Sequence, residues 1–224
     1  IGTNKKTLNS ESENHFNSLS VYNNKFELIE SYDKINLVPF GEFLPFENIL
    51  KAIGFKSLTN NYQYFPRGEE SEIIEIKQQN FSLKFLPLIC YEIIYSGKLF
   101  NKSNYDLIIN ISEDGWFGKS IGPKQHFDHS ILRAIESGKY ILRSSNNGIA
   151  ATVNPLGIIK KSVDFGESGY VELNENNKKI YNKIINRKIL FPYFENIVGS
   201  IFLVSIKSIK PDWFELTFFS TIPK

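Results

Sequence analysis

Two stretches of this 224-residue chain hold residue types that could carry out nucleophilic chemistry together. Cys90, the only cysteine, stands where the apolar run FLPLI ends, two positions before Glu92. Lys34 and Glu42 lie eight residues apart in the stretch YDKINLVPFGEFLPFE. A strand that delivers Cys90 to the start of a short helix exposes the sulfur to the positive helix N-terminus, which favours the reactive thiolate, and a neighbouring lysine acts in the same direction. The pattern is therefore typical of a cysteine nucleophile supported by a cation.

The same residues also permit purely structural interpretations. Free cysteine is among the most buried residue types, so Cys90 taken alone fits a packing role as well as a catalytic one. Pro39, Gly41 and Pro45 make the loop after Lys34 rigid and irregular, which fits either a functional loop or a surface loop with an ordinary lysine and glutamate. Both interpretations stay open at this point.

A third stretch, NISEDGWFGKSIGPKQHFDHS, is rich in glycine and aromatic residues. It follows a predicted buried strand, and we expect its loop around Trp116 to form a pocket wall. His126 and His129 are three residues apart, but no further ligands stand at a spacing that would complete a metal site, so we predict packing or hydrogen-bonding roles for them. The absence of a G-x-S-x-G sequence argues against a serine hydrolase.

Composition limits the class of protein. Hydrophobic residues make up 42% of the chain, which is enough to form the core of one sizeable domain. Lys and Arg number 26 against 24 Asp and Glu, and they are scattered, so a nucleic-acid partner is not expected. A single cysteine excludes an internal disulfide framework and any cysteine-based zinc site.

Apolar patterning predicts an α+β domain with a layered sheet. Phe81–Ile89 and Tyr105–Ile111 are nearly continuous apolar runs, as expected for strands covered on both faces. The sequence Asn146-Asn147-Gly148 between two β-rich runs predicts a tight hairpin with positive φ at both central residues. The other predicted elements are strands at Ser18–Val21, Phe26–Ile29, Tyr140–Ser145, Ile149–Val153 and Ile158–Val163, and helices at Glu92–Asn101 and His126–Lys139.

The helix predicted at His126–Lys139 has an apolar face. Phe127, Ile131, Leu132 and Ile135 recur at helical spacing, so we expect them to be buried together. Gly138 marks its predicted end.

The C-terminal segment Ile189–Ile206 is about as long as the roughly 17–25 residues that cross a bilayer. Pro192, Glu195 and Asn196 interrupt its first half, so its hydropathy fits a buried helix as well as a membrane anchor. Basic residues flank both ends and give no orientation. We divide the chain into a domain at 1–188, a candidate transmembrane helix at 189–210 and a tail at 211–224.

Four stretches occur in a recognisable order and spacing: DKINLVPFGEFLPF, PLICYE, NISEDGWFGKSIGPKQH and RAIESGKYILRSSNNGIAATVNPLG. Together they resemble the carbon-nitrogen hydrolase (nitrilase) superfamily, and more narrowly its apolipoprotein N-acyltransferase branch. The resemblance covers about residues 1–175, and its LVPFGE and WFG-x-S-x-GP-x-QH strings are specific. It implies a nitrilase-like α-β-β-α sandwich.

The resemblance also implies residue roles. The family uses a Glu-Lys-Cys triad in which the cysteine attacks an acyl carbonyl, the glutamate acts as base and acid, and the lysine steadies the tetrahedral oxyanion. Cys90 matches the nucleophile, Lys34 matches the lysine, and Glu42 matches a second, supporting glutamate. Glu92 matches the carboxylate that follows the nucleophile. The positions expected to bind substrate are Tyr91, Glu92 and Trp116.

The reaction implied is transfer of an acyl chain from a phospholipid to the N-terminal diacylglyceryl-cysteine amine of an apolipoprotein, through a thioester on Cys90. No metal or organic cofactor is implied. The implied partners are phospholipid, apolipoprotein and membrane. The implied location is the bacterial inner membrane, with the catalytic domain on the periplasmic side.

The sequence departs from the family at its N-terminus. The triad glutamate of the family lies in a W-P-E motif on an earlier strand, and this chain has neither a W-P-E nor a methionine. We therefore expect a C-terminal fragment that lacks the first strands and helix and is inactive by itself. Two alternatives stay open: a soluble amidase of the same superfamily, which would use water in place of the amine, and a non-catalytic remnant of a decayed gene.

Overall fold

The computed structural model describes residues 2–9, 12–46, 65–69, 73–78, 81–97, 104–173, 205–210 and 213–220. The strands in these residues are β1 (Gly2–Asn9), β2 (Ser12–Tyr22), β3 (Leu28–Asp33), β4 (Ile74–Gln78), β5 (Phe81–Ile89), β6 (Leu107–Glu113), β7 (Tyr140–Asn146), β8 (Ala150–Val153), β9 (Ile159–Val163), β10 (Gly169–Val171), β11 (Ser205–Lys210) and β12 (Trp213–Ser220). An α-helix, α1, spans Gly122–Ser137, and two 3₁₀-helices span Cys90–Ile94 and Gly115–Phe117.

The central element is a six-stranded mixed sheet in the order β4-β5-β6-β7-β8-β9. Its middle strands β5, β6 and β7 run parallel, and the outer strands pair antiparallel. β6 is buried along almost its whole length, as its apolar sequence predicts for a strand covered on both faces. The prediction of two inner strands is confirmed, although β6 begins at Leu107, two residues later than expected.

A three-stranded antiparallel sheet, β1-β2-β3, packs against the central sheet. Leu19, Val21 and Tyr32 from this sheet belong to the same buried apolar cluster as Phe85 and Ile89 of β5. Two sheets that share one core form a layered α+β architecture. The predicted fold class is therefore confirmed.

α1 begins at Gly122, four residues before its predicted start, and ends as predicted at Gly138, whose φ of +65° forms a left-handed cap. Its buried face coincides only in part with the predicted apolar one, and Ile131 packs against the core as expected. Phe127 is buried, but Leu132 is 49% exposed, because part of the buried face serves polar groups. The buried polar residues of this face are His126, Ser130 and Arg133.

The hairpin between β7 and β8 is confirmed, but its turn differs from the predicted one. Asn147 has a φ of +49°, whereas Gly148 has no positive φ. Glycine is needed at 148 for space, because a Cβ there would lie 2.2 Å from Asp114 Oδ2 and 2.3 Å from Ser145 Oγ. The turn therefore presses directly against the buried polar groups described below.

Two other local predictions are wrong in detail. The helix expected at Glu92–Asn101 is the shorter 3₁₀-helix Cys90–Ile94, and residues 98–101 lie outside the described residues. Phe26, expected in a strand, lies in the turn between β2 and β3 with a φ of +62°.

The candidate transmembrane segment 189–210 lies mostly outside the described residues. Its last six residues form β11, not a helix, and pair with β12, whose sequence WFELTFFS is rich in strand-favouring residues. β12 also pairs with β10. In the part of the chain that the structure describes, no helix has both the length and the apolar character needed to cross a bilayer.

Candidate active site

Cys90 lies at the end of β5, on the first residue of the 3₁₀-helix Cys90–Ile94. Its φ of +54° is in the left-handed region, which costs a residue with a side chain about 1–3 kcal/mol. The side chain is fully buried. The surrounding structure must therefore hold this backbone conformation in place.

Lys34 and Glu42 form a buried ion pair. Lys34 Nζ lies 2.9 Å from Glu42 Oε1 and 2.8 Å from Glu42 Oε2. Glu42 also accepts hydrogen bonds from Asn17 Nδ2 (2.8 Å) and from the backbone N–H of Val38 (2.7 Å). Burial by itself lowers the pKa of Lys34, but its interactions with Cys90 and Glu42 outweigh burial and raise the pKa. Lys34 therefore keeps its positive charge at neutral pH.

The loop that joins these two residues is tightly wound. The Val38 carbonyl accepts hydrogen bonds from the N–H groups of Gly41 (3.2 Å) and Glu42 (2.8 Å), and Phe40 has a φ of +63°. Because Lys34 and Glu42 are both buried, the interpretation of this segment as an ordinary surface loop is wrong.

Glu92 is a second buried carboxylate next to the nucleophile. Its donors are the Tyr32 hydroxyl (2.8 Å) and the backbone N–H groups of Ile35 (3.0 Å), Asn36 (3.0 Å) and Ile89 (2.8 Å). Burial raises the pKa of Glu92, although the hydrogen bonds and the charge of Lys34 oppose the rise. Through the Ile89 N–H, Glu92 is tied to the residue that precedes Cys90.

The thiol itself is not a ready thiolate. Burial raises the pKa of Cys90 well above its ordinary value, although Lys34 and a hydrogen bond with Ser112 lower it. The expected effect of the lysine is present, but the net direction differs from the expectation, because desolvation outweighs Lys34.

A second group of buried polar residues adjoins Cys90. We call it the Asp114 cluster, and its members are Ser112, Asp114, His126, Arg143 and Ser145. Asp114 Oδ1 lies 2.8 Å from His126 Nδ1 and accepts the Ser112 hydroxyl (2.8 Å). Asp114 Oδ2 accepts Arg143 (2.7 Å) and the Ser145 hydroxyl (2.8 Å). His126 Nε2 lies 3.3 Å from the carbonyl oxygen of Cys90, which joins the cluster to the nucleophile.

Charge is balanced inside the Asp114 cluster. Burial alone would raise the pKa of Asp114, but Arg143 and His126 hold it well below its usual range. Burial and the Arg143 charge lower the pKa of His126, against the opposing effect of Asp114. Asp114 is therefore ionised and paired with a permanent cation.

The sequence interpretation assigns no role to Asp114 or Arg143. One signal was available: Arg143 interrupts the apolar run YILRSS of a buried strand, and a charge there needs a buried partner. The partner could not be identified, because Asp114 follows a different strand, 29 residues away. His126 forms hydrogen bonds, as predicted. Within the described residues, no three His, Cys, Asp or Glu side chains are placed to hold a metal ion.

Comparison with known families gives this geometry a context. A family model described as carbon-nitrogen hydrolase matches residues 1–182. The chain belongs to the carbon-nitrogen hydrolase family. The nitrilase-like fold is therefore confirmed, and the glutamine-dependent NAD⁺ synthetase from Acinetobacter baumannii shares it with a TM-score of 0.52 at 17% identity, over 72% of this chain and 28% of that one.

Curated relatives of this carbon-nitrogen hydrolase are called apolipoprotein N-acyltransferase. The protein from Rhizobium rhizogenes is 32% identical over 87% of this chain and 36% of its own length. The protein from Rickettsia prowazekii is 39% identical over 73% of this chain and 33% of its own length. The chain thus spans about a third of the length of these relatives.

Five of the six predicted site residues of this carbon-nitrogen hydrolase lie at or next to the nucleophile, and one does not. The structure brings together Cys90, Lys34, Glu42 and Glu92. Tyr91 is buried next to the nucleophile, with its ring edge-on to Tyr95 at 5.2 Å between centroids. Trp116 lies on the 3₁₀-helix Gly115–Phe117 and is 62% exposed, so it stands apart from the buried groups.

Proposed function

We propose that this carbon-nitrogen hydrolase transfers an acyl chain from a phospholipid to the N-terminal diacylglyceryl-cysteine amine of an apolipoprotein, through a thioester on Cys90. The observation that carries the proposal is the buried Lys34–Glu42 ion pair beside the only cysteine of the chain. The name shared by the curated relatives supports the choice of acyl donor and acceptor.

In the first half-reaction, the sulfur of Cys90 forms a bond to the ester carbonyl carbon of the phospholipid. The carbonyl oxygen becomes an oxyanion, and the ammonium of Lys34 stabilises the developing charge. The ester C–O bond then breaks, and the lysophospholipid leaves as an alcohol that carries the proton lost by the thiol. Glu42 keeps Lys34 charged and in position, because both of its oxygens contact Nζ.

In the second half-reaction, the amine of the acceptor cysteine attacks the thioester carbonyl. The C–S bond breaks, an amide forms, and the proton released by the amine returns to the sulfur of Cys90. A thioester is a good acyl donor, so one difficult transfer becomes two easier steps. Tyr91, Glu92 and Trp116 are proposed to contact the substrates.

Exposed aromatic residues near the site suit substrates with acyl chains. Phe40 and Phe46 flank Glu42, and Phe46 is 79% exposed. Both have a positive φ, +63° and +54°, which is unfavourable for residues with side chains. A role in binding acyl chains would explain why the loop keeps these two conformations. The name shared by the curated relatives supports the proposal that the reaction takes place at the bacterial inner membrane, with the catalytic domain on the periplasmic side.

The test is an acyl-enzyme assay. It uses the protein expressed from the complete open reading frame that encodes residues 1–224. Incubation with phospholipid is expected to add one acyl mass to the peptide that contains Cys90, and neutral hydroxylamine should remove it. The matched variant Cys90→Ser should give either no adduct or an ester that resists hydroxylamine. An adduct that persists in Cys90→Ala would overturn the proposal.

A second measurement separates transfer from hydrolysis. Adding a diacylated lipopeptide with a free N-terminal amine should convert the acyl-enzyme into a triacylated peptide. Release of free fatty acid without peptide acylation would contradict acyl transfer and favour the amidase alternative.

A further inference from the structure

The backbone of Cys90 needs an external restraint, because its left-handed φ of +54° is unfavourable for a residue with a side chain. The five-residue 3₁₀-helix that begins there is too short to impose this conformation by itself. A restraint that acts on Cys90 has to bind its backbone or its sulfur. The Asp114 cluster contacts the backbone.

The backbone contact comes from His126. Its Nε2 lies 3.3 Å from the carbonyl oxygen of Cys90, which can only accept a hydrogen bond. His126 is buried on α1, and the ring of Phe117 packs against it with 5.8 Å between ring centroids. The imidazole therefore has little freedom to turn away.

The other ring nitrogen anchors His126 to the central sheet. The neutral imidazole that donates from Nε2 accepts at Nδ1, where Arg143 Nη2 of β7 lies at 3.2 Å and also donates to Asp114 Oδ2 (2.7 Å). Arg143 also donates to Asn110 of β6 and to the carbonyl of Ile149 (3.2 Å). Residues of two inner strands, β6 and β7, thus hold His126 in position.

Ser112 acts on the thiol of Cys90. Its hydroxyl donates to Asp114 Oδ1 (2.8 Å), and Ser112 lowers the pKa of the thiol, against the larger effect of burial. One carboxylate therefore lies 2.8 Å from both His126, which reaches the Cys90 carbonyl, and Ser112.

We propose that His126 is a positioning residue that holds Cys90 in its left-handed backbone conformation, and that Asp114 and Arg143 fix His126 for this task. The inference rests on the proposed role of Cys90 as the nucleophile. His126 is not a general base in this arrangement, because its Nε2 faces the Cys90 carbonyl and its Nδ1 faces Asp114. Without the restraint, the backbone relaxes and the sulfur leaves the position in which Lys34 stabilises a thiolate.

The single cysteine makes the test specific. Cysteine labelled with carbon-13 at its carbonyl carbon gives one signal from the 224-residue chain, and that signal moves upfield when a hydrogen bond to the carbonyl is lost. His126→Leu should move it upfield and slow alkylation of Cys90 by iodoacetamide roughly fivefold, the value of one hydrogen bond. His126→Gln, whose amide can reach the carbonyl, should restore both to near parental values.

Controls keep the inference falsifiable. His129→Leu, three residues along the same helix, should change neither readout. If His126→Leu does not fold, His126→Gln is compared with His126→Asn instead. The asparagine amide is too short to reach the Cys90 carbonyl, so the carbonyl signal of His126→Asn should lie upfield of that of His126→Gln. An unmoved carbonyl signal, or alkylation that is unchanged or faster in the folded His126→Leu variant, would overturn the proposal. Neither readout uses an acyl substrate, so failure of the acyl-enzyme assay alone would count only against the proposed function.

Discussion

Two of the buried carboxylates beside Cys90, Glu92 and Asp114, are held in different ways. In the part of the chain that the structure describes, Glu92 accepts four hydrogen bonds, and Asp114 contacts four hydrogen-bonding side chains. Three of the donors to Glu92 are backbone N–H groups, and one is a side chain. All four partners of the Asp114 carboxylate are side chains. Glu92 is therefore held mainly by backbone groups, whereas Asp114 is held by particular side chains.

This difference separates two ways of supporting a nucleophile. Glu92 ties the main chain before Cys90 to the loop after Lys34, so local chain geometry keeps these two segments together. Asp114 joins β6, β7 and α1 through charges and hydroxyls that are distant in sequence. Loss of one side chain should therefore be tolerated at Glu92 and costly at Asp114.

Removal of Arg143 should have the largest effect. Arg143→Met leaves the fully buried Asp114 without its permanent cation, and also removes the donor to the Ile149 carbonyl. Breaking a buried pair from one side costs about 3–5 kcal/mol, and we expect the upper end of that range in the free energy of unfolding. Urea denaturation measures this loss.

Arg133→Met is the matched control for Arg143→Met. Arg133 is also buried, but its partner Glu136 is only partly buried and can turn to solvent. The control should lose less than half as much stability. Equal losses would contradict the special status of Asp114.

Removal of Lys34 should rank second. Lys34→Met leaves Glu42 with two remaining donors, Asn17 and Val38, and a side chain that is 10% exposed. We expect a loss near the lower end of the range, about 3 kcal/mol. The double variant Lys34→Met/Glu42→Leu should recover most of this loss by removing the unpaired charge. If the double variant is less stable than Lys34→Met, the pair is not the source of the cost.

The same comparison explains what the sequence could predict. Cys90, Lys34, Glu42 and Glu92 stand in short motifs whose chain geometry brings them together, so the motifs were enough to identify them. The Asp114 cluster comes from β6, β7, α1 and the loop after β6, and only the packed sheet brings these elements together. Its residue types were visible in the sequence, but their pairing was not.

The inner strands were predicted better than the helix boundaries for a similar physical reason. The inner strands are apolar because both of their faces are covered, and that pattern is local. The buried face of α1 also carries His126, Ser130 and Arg133, so apolar periodicity identified only part of this face. The thiol pKa also depends on burial, a tertiary property, and the local helix argument gave the wrong direction.

The reactivity of the thiol should follow its raised pKa. Between pH 7 and 9 the alkylation rate of folded Cys90 should rise about tenfold per pH unit without a plateau, whereas the unfolded chain should level off near its ordinary pKa of about 8.5. Since folding raises this pKa, the stabilisation is present below about pH 8.5 and is lost as the pH rises toward the folded-state value. Iodoacetamide kinetics measure the profile, and a plateau at or below pH 8.5 in the folded chain would contradict it.

The smallest expected effect tests the backbone-held carboxylate. Tyr32→Phe removes the one side-chain donor to Glu92 and leaves the N–H groups of Ile35, Asn36 and Ile89 in place. We expect a loss of about 1 kcal/mol in unfolding free energy, the net value of one hydrogen bond. Tyr170→Phe, on a ring that is 46% exposed, is the matched control and should stay within about 0.5 kcal/mol of the parent. A loss in Tyr32→Phe as large as that in Arg143→Met would show that Glu92, like Asp114, depends on its side-chain partner, because the three backbone donors would then be insufficient to hold it.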